Sequence, residues 1–163
     1  MKYLWSYITI LILFLIQTTL GQYIDIFGIA PNLVFVFAIC YSMYNFPVRS
    51  AILCVVAGFL LDLYGCKTIG LNALIYMYIG LGVSLFGSTL MKKNIWAVAL
   101  GTIVVSILYQ IVYLLFEYVL KTDVSFWYGF LRIILPASIY DGIIALILSP
   151  WARWLSEEQI RGF

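Results

Sequence analysis

The chain has 163 residues, 65% hydrophobic and 10% charged, with no histidine and a net charge of +2. Its nine basic residues never cluster beyond Lys92-Lys93, which excludes a nucleic-acid surface. Uncharged windows at 3–24, 26–48, 68–91 and 94–116 each suffice to cross a hydrocarbon core of roughly 30 Å at about 1.5 Å per residue, so the composition describes a single-domain, all-α, polytopic membrane protein.

Hydropathy and punctuation predict six helices, at 3–21, 31–47, 50–65, 69–91, 94–120 and 131–152. Lys2 before an apolar run suggests a signal peptide. The run is too long for one and has no small-residue cleavage site, so it reads as a retained first helix. Gly21 and Gly28 bracket the first loop, and Pro31 suits the first turn of helix two. Pro47 and Arg49 make a tight connection into helix three. That helix has only a short uncharged run, Ser50 to Leu61, before Asp62, so a short, tilted or re-entrant segment is expected. Lys92-Lys93-Asn94 separates helices four and five. Phe126-Trp127-Tyr128, before helix six, suits the aromatic belt at the membrane interface.

Basic residues near helix ends set the orientation. With the N-terminus inside, Lys2, Arg49, Lys92, Lys93, Arg153 and Arg161 lie on the cytoplasmic side, and Lys67, Lys121 and Arg132 lie outside. Both termini are therefore expected in the cytoplasm. No loop is long enough for a soluble domain, so any function falls to helix faces and helix ends.

Two carboxylates interrupt the apolar helices. Asp62 lies thirteen residues after Arg49, about 20 Å along a helix and in the outer part of the bilayer. A charge against lipid there costs a few kcal/mol, so Asp62 should face the bundle interior. Ala51, Cys54, Gly58 and Gly65 share its side of the helix as a small-residue stripe. Two readings stay open: a polar anchor for another helix or a ligand, or a carboxylate satisfied by Asn72 or by Ser or Tyr hydroxyls for folding alone. Helix four carries a stronger seam, Gly70, Ala73, Met77, Gly80, Ser84 and Gly87, whose default partner lies within the chain.

Arg132, Pro136 and Asp141 mark helix six. Pro136 removes a backbone hydrogen bond and is expected to kink the helix. Arg132 and Asp141 lie about half a turn apart in angle and are not placed to pair. Arg132 could meet Asp62, Glu117 or a phosphate, or snorkel to the interface.

No chemistry is evident. The chain has no histidine dyad, no S-x-x-K nucleophile and no metal-spaced cluster, so no catalytic, cofactor or metal residue is assigned. Cys40, Cys54 and Cys66 read as small packing residues. Asp141-Gly142 resembles the opening of the membrane phosphatidyltransferase signature, but Leu146 stands where that signature is basic and no aspartate follows. Proton or ion transport would suit buried carboxylates, yet no inverted repeat of broken helices is evident.

Pro31-Asn32-Leu33, Gly58-Phe59-Leu60-Leu61-Asp62-Leu63, Gly70-Leu71-Asn72-Ala73-Leu74 and the late Arg132, Pro136, Tyr140-Asp141 block together resemble the MreD family of rod-shape-determining membrane proteins. The resemblance spans nearly the whole chain and is most specific from Gly58 to Leu74. It implies six transmembrane helices, similar to the substrate-binding subunits of energy-coupling-factor vitamin transporters, in the bacterial cytoplasmic membrane. It also implies a non-catalytic scaffold of the cell-elongation machinery that positions peptidoglycan synthesis. The partners implied are an MreC-like single-helix protein, an MreB-like actin filament, and a RodA-like glycosyltransferase with its class B penicillin-binding protein. Pro31, Asn32, Gly58, Asp62, Gly70, Asn72, Arg132, Pro136 and Asp141 are the residues expected to lock the helices or to form the partner surface. The rivals are a vitamin-type binding subunit, a membrane enzyme and a proton-coupled carrier. Against the first, helix one lacks the small-residue docking seam usual in such subunits.

Overall fold

A computed structural model describes residues 2–20, 32–65, 70–90, 94–120 and 134–156. Within them are six helices and no strand: α1 (Lys2–Leu20), α2 (Leu33–Tyr44), α3 (Pro47–Gly65), α4 (Leu71–Leu90), α5 (Ile95–Leu120) and α6 (Leu135–Ser156). Pro31, Arg132, Cys66 and the Phe126–Tyr128 segment lie outside the described residues.

The short helix is α2, and it is also the central one. Its 12 residues span only about 18 Å, less than a hydrocarbon core. Every side chain from Val34 to Asn45 is buried, against α3, α4 and α6 above all. By contrast, α3, expected to be short, tilted or re-entrant, runs unbroken for 19 residues and is neither short nor broken. Pro47 stands at its first position, where the missing N–H is not needed, and the Ser50 N–H reaches the Phe46 carbonyl at 3.0 Å. Asp62 does not end the helix but sits in its last turn. Three helices, α3, α5 and α6, are long and apolar enough to cross a membrane, while the apolar stretches of α1, α2 and α4 are shorter. With Leu4, Leu11, Leu74, Leu100, Val104 and Ile147 all exposed on the outer helix faces, hydrocarbon is the solvent that suits this surface.

The α3–α4 pair is the most closely packed. A Cβ added at Gly58 would lie 2.6 Å from both Ala73 Cα and the Asn72 carbonyl oxygen, and one at Gly80 would lie 2.5 Å from Cys54 Sγ. These glycines let the two backbones touch, which is how helices associate where no hydrophobic drive exists. The α4 seam is taken up inside the chain. Ala73 and Gly80 meet α3, and Gly87 and Ser84 meet Met43 and Asn45 at the end of α2.

At that end of the bundle the Asn45 side-chain amide donates to the Tyr41 carbonyl (2.9 Å) and to Ser156 Oγ (2.6 Å). Ser84 Oγ donates to the Asn45 carbonyl (2.5 Å). One buried residue thus ties α2 to α6 through its side chain and to α4 through its main-chain carbonyl.

Pro136 falls in the first described turn of α6 and is exposed. The proline inside α6 is Pro150.

Candidate functional site

The six helices bring their polar side chains together at the opposite end of the bundle, where α1, α3 and α5 finish and α2, α4 and α6 begin. The chemistry that organises this region is the backbone. A helix leaves its first N–H groups without intrahelical partners, and burial makes each unsatisfied group expensive.

Asp62 answers that need for α4. Its Oδ2 accepts the N–H groups of Gly70 (2.9 Å) and Ala73 (3.1 Å), and its Oδ1 accepts the Asn72 N–H (3.2 Å). The carboxylate is 2% exposed. It therefore acts as an N-cap supplied from a neighbouring helix, set against the positive end of the α4 dipole. These three partners are main-chain amides, and Asn72, expected from sequence as a partner, is one of them through its N–H. Gly70 makes the geometry possible. Its φ of +97° turns the chain so that its N–H faces the carboxylate while its carbonyl accepts the Leu74 N–H at 3.1 Å.

Asp141 and Gln17 do the same for α2, from two different helices. The Asn32 N–H points to Asp141 Oδ1 (3.3 Å), and the Val34 N–H donates to Gln17 Oε1 (3.1 Å). Asn32 is the local cap: its Oδ1 accepts the Phe35 N–H (3.1 Å) and a bond from Gln17 Nε2 (3.3 Å). The other Asp141 oxygen accepts Ser106 Oγ at 2.5 Å. Gln110 Nε2 donates to Ser106 Oγ (3.1 Å) and Ser138 Oγ (3.2 Å), extending the network from α5 to α6.

The two capping centres are joined through tyrosines. Asn32 Nδ2 donates to the Tyr76 hydroxyl (2.8 Å), and the Tyr109 hydroxyl donates to Asn72 Oδ1 (3.0 Å). Phe35 packs between the two rings, with centroids 4.9 Å from Tyr76 and 4.6 Å from Tyr109. The result is a polar centre to which all six helices contribute.

Of the residues expected from sequence, Asn32, Asp62, Gly70, Asn72 and Asp141 meet in this region, and Gly58 lies on the α3–α4 contact beside it. Gln17, Tyr76, Ser106, Tyr109, Gln110 and Ser138 belong to it and were not singled out. Gln17 and Gln110 carried a usable signal, since each is a lone amide deep in an apolar helix.

Among the described residues the arrangement holds helices and offers no exposed reactive pair. Among the described residues no three His, Cys, Asp or Glu side chains come together as a metal site. A match over residues 1–158 to the family model for the rod shape-determining protein MreD places the chain among known proteins. The chain belongs to the MreD family. No curated protein and no solved structure matches it. Within this MreD-family chain, the GFLLDL and GLNAL motifs are thus the two halves of one contact, a close-packing glycine and a capping carboxylate on α3 facing the first turn of α4.

The hydrogen-bond pattern distinguishes the two aspartates. At 141, an asparagine can keep an oxygen towards the Asn32 N–H and turn its NH₂ to Ser106 Oγ. Asp141→Asn is therefore expected to unfold within about 1 kcal/mol of the parent in detergent, and Asp141→Leu to lose about 2–4 kcal/mol by stranding both donors. Equal losses for the two variants would show that the charge itself is needed.

Proposed function

We propose that the protein is a non-catalytic scaffold of the bacterial cell-elongation machinery, acting in the cytoplasmic membrane with both termini in the cytoplasm. In this reading it maintains rod shape by binding an MreC-like single-helix membrane protein and positioning peptidoglycan synthesis. An MreB-like filament and a RodA-like glycosyltransferase with its class B penicillin-binding protein work alongside it. Six transmembrane helices, similar in arrangement to the substrate-binding subunits of energy-coupling-factor transporters, are part of the proposal. Family membership and the three full-length spans support it.

One observation carries the partner-binding part. α4 and α5, though consecutive, stand apart around an apolar cleft of about 400 Å³. Gly82, Gly87 and Gly101 line it together with Val83, Val104 and Leu108. Glycines on both walls are the surface on which a further helix can approach closely in lipid. The polar centre favours this over a vitamin-binding role, because its side chains already hold partners within the bundle, main-chain amides among them.

Gly82 provides a clean test, since a Cβ there would meet nothing within 4 Å. Gly82→Leu fills the cleft without disturbing the bundle, so its melting temperature is expected to match the parent's. Recovery of a co-expressed MreC-like partner should fall about tenfold, the equivalent of about 1.4 kcal/mol. Undiminished recovery with the folded variant would remove the cleft from the partner interface.

A further inference from the structure

Hydrocarbon offers no hydrogen bonds, so a polar side chain turned towards it marks a place where a protein group belongs. The bundle meets most of this demand from within. Thr9 donates to the Trp5 carbonyl of its own helix at 2.7 Å, and the amides and hydroxyls of the polar centre bond one another. Tyr78 departs from that pattern. It is 69% exposed on the outer face of α4. Among the described residues its hydroxyl has no hydrogen-bond partner and its ring no aromatic neighbour.

Its depth removes the usual remedy. Tyr78 stands seven residues after Leu71 and twelve before Leu90, about 10 Å and 18 Å along α4 from the two ends. Leu74, Leu85 and Phe86, also exposed on α4, give it only apolar company. A tyrosine at the membrane boundary keeps its ring in hydrocarbon and its hydroxyl at the headgroup level. From the middle of α4 neither headgroup layer is within the reach of the ring.

Tyr78 also stands at the rim of the α4–α5 cleft. Gly82, four residues on and therefore its neighbour on the helix surface, lines that cleft, and a Cβ added there would meet nothing within 4 Å. A helix that uses this gap to approach α4 brings its own side chains against the Tyr78 ring. We propose that Tyr78 is a specificity-determining contact for the occupant of the cleft. The occupant crosses α4 at Gly82 and hydrogen-bonds the Tyr78 hydroxyl through a Ser, Thr, Asn or Gln side chain near the middle of its membrane span.

This inference rests on the partner-binding reading of the cleft and adds which helix the cleft admits. Depth selects a helix over a lipid. A glycerophospholipid carries its oxygens at the boundary and only hydrocarbon at the level of Tyr78, so it would leave the hydroxyl unmatched. A phenol both donates and accepts, which suits any of the four side chains. A purely aliphatic span fits the gap at Gly82 but forfeits the hydrogen bond, so the contact discriminates between helices of similar hydropathy.

Tyr78→Phe removes the oxygen and keeps the ring. Recovery of the co-expressed single-helix partner is expected to fall about threefold, the size of one interhelical hydrogen bond in lipid, at an unchanged melting temperature. Changing the polar side chains in the middle of the partner's span to Leu should cause the same loss, and Tyr78→Phe should then add nothing further. Full recovery with Tyr78→Phe, while Gly82→Leu still weakens it, would overturn the hydrogen bond and leave the cleft as the interface. Full recovery with both variants would remove the cleft reading as well. A partner that binds the cleft with no polar side chain in mid-span would also overturn the proposal. Photocrosslinking identifies the occupant directly, since Tyr78→p-benzoylphenylalanine should form its adduct with the partner's span. An adduct only with a second copy of this chain, or only with lipid, would overturn the assignment.

Discussion

Asp62→Ala is expected to lower the stability of the folded bundle by about 3–5 kcal/mol, the range for removing one partner of a buried charged hydrogen-bond set. The substitution leaves the N–H groups of Gly70, Asn72 and Ala73 without their acceptor at a position 2% exposed. It also removes the negative charge from the positive end of the α4 dipole. Water can reach an orphaned helix end on the surface of a soluble protein, but inside an apolar bundle it cannot do so freely, which places the loss above the usual 1–2 kcal/mol for a cap. Asp62→Asn separates the contributions. Its single oxygen can hold the Gly70 and Ala73 amides, but its NH₂ then faces the Asn72 N–H, donor against donor. About half the full loss is expected. Both values can be read from the fraction folded as sodium dodecyl sulfate is titrated into a mild detergent, followed by circular dichroism. An Asp62→Ala protein that unfolds at the parent's midpoint would mean that the cap contributes nothing.

What could be read from the sequence follows from what hydropathy measures. The apolar windows gave the helices, because a chain in lipid must close its backbone hydrogen bonds within each segment. The same signal cannot tell a helix facing lipid from one facing protein, since both are apolar all round. Nothing in Leu33–Tyr44 therefore announced that α2 is the buried centre, whereas α5, equally apolar, exposes Leu100, Val104 and Leu108. The run-length argument also misassigned the short segment. It took the short uncharged run before Asp62 as the sign of a short, tilted or re-entrant helix three, although the Asp62 side chain reaches across to α4 and α3 is continuous from Pro47 to Gly65. The grouping of Gly58, Asp62, Gly70 and Asn72 was visible as a spacing unusual for generic apolar helices. Its cause was not, because the acceptors and donors concerned are main-chain groups that appear in no side-chain pattern. For the same reason Asp141 looked isolated beside Arg132, when its partners are an amide 109 residues earlier and a serine on α5.

Gly58→Val should be the most damaging of the glycine substitutions. A side chain at 58 begins 2.6 Å from Ala73 Cα and the Asn72 carbonyl oxygen and 2.7 Å from the Ala73 nitrogen. All three are backbone atoms of α4, so no rotamer change can make room and the helix itself must move. Gly58→Ala alone is expected to cost about 1–3 kcal/mol despite the better helix propensity of alanine, and Gly58→Val about 3 kcal/mol or more. Gly82→Ala, with open space around it, should stay within about 0.5 kcal/mol of the parent in the same unfolding assay. The movement forced at Gly58 has a second consequence. Asn72 and Ala73 are the residues whose amides Asp62 holds, so displacing them stretches the cap. Once Gly58→Ala has loosened that cap, Asp62→Ala has less left to remove. The double variant should therefore lose about 1 kcal/mol less than the sum of the single losses, within the range of coupling between contacting residues. Strict additivity would mean that close packing and capping are separate devices, and would dissolve the physical link between the GFLLDL and GLNAL motifs.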